Sequence, residues 1–68
     1  MKKINKVKGY RSMLGKTQEE MAIGLGISLQ SYHNKENGHV SFKDSEKTTI
    51  KKMLLPIFPE ITIEDIFF

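Results

Sequence analysis

The chain has 68 residues, no cysteine and a formal net charge of +3. It is expected to make one domain, residues 1–68, and a thin one, because a chain this short buries only about 60 % of the surface its unfolded form exposes. Disulfides and thiolate zinc sites are excluded, and His33 and His39 have no ligand pair at metal spacing, so a second subunit is the support that remains.

The basic residues gather in the first part of the chain. Residues 1–40 hold seven Lys/Arg against three acids, +4, whereas residues 41–68 hold four lysines against five acids, −1. That asymmetry is compatible with a polyanion partner, although a lysine-rich solvated surface is ordinary. Met1-Lys2-Lys3 is followed by no long apolar run, so a signal peptide is not expected. The longest uncharged stretch, Met21 to Asn34, is broken by Gly24, Gly26, Ser28 and Gln30 and does not read as a membrane span. A soluble protein of the reducing cytoplasm is expected.

Ile4, Val7, Arg11 and Leu14 recur at three- and four-residue steps, with Tyr10 beside them, which predicts one face of a first helix ending at Gly15-Lys16. Thr17-Gln18-Glu19-Glu20 has the capping-box pattern and starts a second helix at Gln18, which shows Met21, Ala22 and Leu25 to one side. Gly26 stops it. Ser28 caps a third helix that runs to about Glu36, with Ile27 and Tyr32 as a hydrophobic staple and Asn37-Gly38 as the closing turn. Phe42, Ile50, Met53 and Leu54 outline a fourth helix from about Lys43 to Leu55, stopped by Pro56. Thr62-Ile63-Glu64-Asp65 repeats the capping logic, Ile61 and Ile66 make a second staple, and a short fifth helix ends at Phe67-Phe68. No strand is expected. The fold class predicted is all-α, a compact five-helix domain.

Gln18 to Asn37 is the informative stretch. Two short helices meet at a turn on Gly26, and Ala22 supplies the small side chain where they cross. This small-residue, glycine and apolar spacing is that of a helix-turn-helix, whose second helix enters the major groove. Gln18-Glu19-Glu20-Met21-Ala22, then Leu25-Gly26-Ile27-Ser28, then Glu36-Asn37-Gly38 resembles the lambdoid phage Cro/repressor family, also called the XRE family. The match is close from about Val7 to Phe42.

The resemblance implies a role for each matching position. Gln18 would contact a phosphate beside the amides that open the second helix. Ser28, Leu29, Gln30, His33 and Asn34 would face bases, Gln30 and Asn34 as carboxamides able to pair with adenine and Leu29 against a thymine methyl. Lys35, Asn37, Gly38, His39 and Lys43 would lie along the backbone, with the main-chain amides of Asn37 and Gly38 as donors. Arg11 and Glu36 would be the structural ion pair tying the first helix to the end of the third. Two departures stand out. Lys35 occupies a place where the family often has a large apolar side chain, and Gly24 costs the second helix about 1 kcal/mol relative to alanine.

The expected function is therefore a sequence-specific, double-stranded-DNA-binding transcriptional regulator, acting as a homodimer on a two-fold operator. Ile57, Phe58, Ile66, Phe67 and Phe68 are more apolar than an exposed end needs and are candidates for the dimer contact. The alternative is a protein-interaction module on the same fold, as in antitoxins and anti-repressors, with a protein partner in place of DNA. An acid-rich or apolar outward face would mark that alternative, and this chain has Gln, His and Asn there. No cofactor and no metal are expected, and no nucleophile pair, phosphate-cradling glycine loop or paired catalytic carboxylates suggest an enzyme.

Overall fold

Residues 6–68 are described by the computed structural model, and they form five α-helices and no strand. Ile4, placed on the first helix face by its spacing, lies outside the described residues. The helices are α1 (Val7–Leu14), α2 (Gln18–Leu25), α3 (Leu29–Glu36), α4 (Asp44–Leu54) and α5 (Ile63–Phe67).

Local chemistry sets most of the boundaries. Thr17 Oγ1 accepts from the Glu20 amide at 3.1 Å, and Glu20 Oε1 accepts from the Thr17 amide at 2.8 Å, which closes the capping box of α2. Ser28 Oγ caps α3 through the Ser31 amide at 3.1 Å. Thr62 and Asp65 make the same reciprocal pair ahead of α5, at 3.1 and 3.0 Å. α4 opens differently, because Lys43 has no side-chain acceptor and its amide instead donates to Glu46 Oε1 at 2.8 Å.

At the other end of α2, Gly26 has φ +69, and the amides of Gly26 and Ile27 bond back to Ile23 and Ala22 at 3.1 and 3.0 Å. This is a Schellman closure, which wants a residue without Cβ at the left-handed position. α1 and α3 close the same way at Gly15 and Gly38. A Cβ added at Gly24 would lie 2.8 Å from the Met53 Cε, the far end of a flexible side chain that can move aside.

The core is Val7, Met21, Ala22, Tyr32, Phe42, Ile50, Leu54, Ile61 and Ile66, drawn from every helix and two connections. α2 packs on α3, and α5 packs on both α4 and α1. The Lys6 amide donates to the Ile66 carbonyl at 2.9 Å, so the start of α1 is pinned to α5.

That arrangement corrects the expected dimer contact. Ile66 is fully buried inside the monomer and cannot meet a partner. Phe67 is half-buried, edge-on to Phe42 with centroids 5.5 Å apart. The reason is the capped turn at Thr62, which folds the last residues back across α4 and aims Ile66 at the core. Phe68 is still 70 % exposed, with Lys47 Nζ 5.1 Å from its ring centroid. Ile57 is exposed, and Phe58 is half-buried edge-on against Tyr10 at 5.7 Å.

Candidate nucleic-acid interface

The outer face of α3 is anchored by a buried carboxylate at the C-terminal end of that helix. Glu36 accepts from Arg11 Nε at 2.9 Å and Nη2 at 3.2 Å, from Gln18 Nε2 at 3.0 Å, and from the Tyr32 hydroxyl at 2.5 Å. The expected Arg11–Glu36 pair is thus one part of a four-residue cluster joining α1, α2 and α3. Arg11 Nη1 also donates to the Lys16 carbonyl at 3.0 Å, just past α1.

Electrostatics follow from these contacts. Burial alone would push the Glu36 carboxyl up, but hydrogen bonds from Arg11, Tyr32 and Gln18 outweigh it and hold the group below the usual carboxylate range. The Tyr32 hydroxyl is pushed up, first by burial and then by its bond to Glu36. Arg11 is raised, chiefly by its bond to Glu36. All three therefore keep their ordinary charge states at neutral pH, and Tyr32 remains a donor.

Outside this cluster lie the side chains expected to face bases. Ser28, Leu29, Gln30 and His33 are exposed and Asn34 is half-buried. Gln30 Nε2 donates to Asn34 Oδ1 at 3.2 Å, so the two carboxamides already lie side by side, one turn apart. Ser28 also serves as the cap, which commits its oxygen to the Ser31 amide. His33 bridges inward and outward, with Nδ1 3.4 Å from Gln18 Oε1 and Nε2 2.9 Å from Asn37 Nδ2. Asn37, His39 and Lys43 are exposed along the next connection.

Two expectations for backbone contacts are corrected, those for Lys35 and for the main-chain amides of Asn37 and Gly38. Lys35 was placed on the phosphate side, yet it is only 5 % exposed and its ammonium bonds both oxygens of Glu46 at 2.7 Å. Its position on α3 faces α4, so the stem is buried and the ammonium meets an acid inside. The main-chain amides of Asn37 and Gly38 are engaged as well, to the carbonyls of His33 and Lys35 at 3.0 and 3.2 Å, because the end of α3 uses them for its own closure. Gln18, expected at a phosphate, is half-buried and directs its amide nitrogen at Glu36.

Glu46 is the residue that the sequence reading passed over. Burial would raise its carboxyl, but the bonds from Lys35 and the Lys43 amide dominate and lower it. It is eleven residues from Lys35, across a turn and onto another helix, a separation without helical or strand periodicity to reveal it. The capping pattern was the one local signal, since Glu46 stands three positions after Lys43 at the opening of α4.

Among the described residues no group of three or more His, Cys, Asp or Glu side chains is placed to hold a metal ion, and no helix is long and apolar enough to cross a membrane. No protein-family model matches the chain, and neither a curated protein nor a solved structure is significantly similar to it.

Proposed function

We propose that this chain is a sequence-specific, double-stranded-DNA-binding transcriptional regulator of the helix-turn-helix, Cro/repressor-like type, acting as a homodimer on a two-fold operator. The observation that carries the reading is the outer face of α3. Leu29, Gln30, His33 and Asn34 lie there without burial in the core, on a helix held to α1 and α2 through Glu36 and preceded by the Gly26 turn. A helix placed so can enter a major groove and present carboxamides to adenine edges. Lys43 and His39 flank it and would meet phosphates. Ile57, Phe58, Phe67 and Phe68 remain candidates for the dimer contact, the first two beside an open depression of about 350 Å³ that they line with Tyr10 and Pro59.

Selecting random duplex DNA on the purified protein and sequencing what is retained tests this directly. The expected result is a two-fold motif with half-sites about 10 base pairs apart, centre to centre. A retained pool indistinguishable in sequence from the input would reject the reading. A second reading, a protein-interaction module, is favoured by the exposure of Met13, Ile23 and Ile57, large apolar side chains away from the outer face of α3.

A further inference from the structure

The buried Glu36 carboxylate controls more than its own ion pair. An ionised carboxylate only accepts hydrogen bonds, so the end of the Gln18 carboxamide that faces it must be the NH2, as the 3.0 Å contact from Nε2 has it. The Gln18 oxygen is then turned the other way, where it lies 3.4 Å from His33 Nδ1. A carbonyl oxygen cannot donate, so a hydrogen bond across this long contact puts the ring hydrogen on Nδ1. A neutral imidazole has one N–H, which leaves Nε2 as a lone pair. That lone pair lies 2.9 Å from Asn37 Nδ2, which donates to it. The other tautomer would set lone pair against oxygen at one end of the ring and N–H against NH2 at the other. Each orientation along Glu36, Gln18, His33 and Asn37 is therefore dictated by the one before it.

We propose that Gln18 is a positioning residue, which passes the acceptor character of buried Glu36 to the outer face of α3 by holding neutral His33 as its Nδ1–H tautomer. His33 then reads no base through Nε2, and Asn37, with one amide hydrogen on the ring, offers its second to a phosphate. Only this last step rests on the DNA-binding reading. A neutral histidine side chain free in water prefers the Nε2–H form, so the relay inverts the ordinary preference.

The test is the two-bond 1H–15N imidazole spectrum of the 15N-labelled free protein, at a pH where both histidines are neutral. His39, exposed on the following connection, is the internal reference. His33 is expected to show a protonated Nδ1 and a bare Nε2, opposite to His39; a His33 pattern like that of His39 overturns the relay without recourse to any variant. In Gln18→Met the His33 pattern should revert to that of His39, and a folded variant that keeps Nδ1–H overturns the assignment to Gln18. Asn37→Ala, an exposed change, should leave Nδ1–H in place; its loss there would transfer control to Asn37 and sink the proposal. On DNA, Asn37→Ala should weaken binding about two- to tenfold. Adding Gln18→Met should bring no further multiplicative loss, and fully additive losses overturn the transmission to Asn37. Absence of DNA binding by the wild-type chain would reject the proposed function, while the tautomer measurement would still decide the relay.

Discussion

Glu36 and Glu46 are two buried carboxylates within one small core, 7 % and 6 % exposed, and they are held in different ways. Glu36 is met by three side chains from three helices, whereas Glu46 is met by one ammonium and one main-chain amide. Redundancy is the difference. Removing any one donor from Glu36 leaves two others, but removing Glu36 itself strands a guanidinium, a carboxamide and a buried hydroxyl together. At Glu46 the partner is a lysine whose long stem can carry its charge outward once the acid is gone. The first site is a junction that sets the position of α3. The second is a pair that fills a gap between α3 and α4.

Glu36→Ala should break that contrast most visibly. Leaving a charge unpaired in such a site costs about 3–5 kcal/mol, and the total stability of an ordinary small domain is only about 5–15 kcal/mol. We expect a protein largely unfolded at moderate temperature by circular dichroism, with Glu46→Ala losing clearly less. Equal losses would show that the two carboxylates are equivalent and that redundancy is irrelevant.

Acid should act on both sites in the same direction. Each carboxyl titrates lower in the folded chain than its ordinary value of 4.5, so the unfolded chain binds protons more readily. The stabilisation is fully present above that value and is lost as pH falls through the folded values. Urea melts between neutral pH and pH ~3 should show the decline, and Glu36→Gln, if folded, should flatten it more than Glu46→Gln. A stability that rises on acidification would contradict the sign.

Tyr32→Phe is the intermediate case. It deletes one donor to Glu36 and leaves Arg11 and Gln18 in place. A hydrogen bond to a charged group contributes about 1.5–3 kcal/mol, and the ring itself stays packed, so the variant should fold with a reduced melting temperature. A loss as large as that of Glu36→Ala would mean the hydroxyl, not the ion pair, holds the junction.

What was legible in the sequence follows the same divide between local and distant causes. Thr17, Ser28 and Thr62 announce their helices because a cap and its target amide lie three residues apart, and Gly26 announces the turn because a left-handed residue wants no Cβ. The outward run from Ser28 to Asn34 is readable once that turn is fixed. The inward bend of Gln18, the pairing of Lys35 with Glu46 and the packing of Phe67 on Phe42 beside the more exposed Phe68 are decided by how helices meet. No spacing along the chain encodes them. The charge of Lys35 pointed to solvent or phosphate, and only the presence of an acid on α4 turned it inward.

The smallest expected effect is the most discriminating for that last point. Replacing Lys35 and Glu46 together, as Lys35→Met with Glu46→Leu, removes both charges and leaves neither unpaired. Buried ion pairs exchanged for apolar side chains of similar size are often neutral or stabilising. The Lys43 amide loses its acceptor, a cap bond of about 1 kcal/mol, but Lys43 is exposed at the opening of α4 and water can replace it. Stability should therefore stay within about 1 kcal/mol of the wild type, while either single replacement falls below the double. The same protein separates the two accounts of Lys35. If its ammonium is spent on Glu46, the double variant binds DNA with an unchanged salt dependence. Lys43→Ala, by contrast, should flatten the slope of log affinity against log salt by about 0.9, the contribution of one phosphate contact. A slope reduced by that amount in the double variant would return Lys35 to the proposed DNA interface and make its bond to Glu46 a resting state of the free protein.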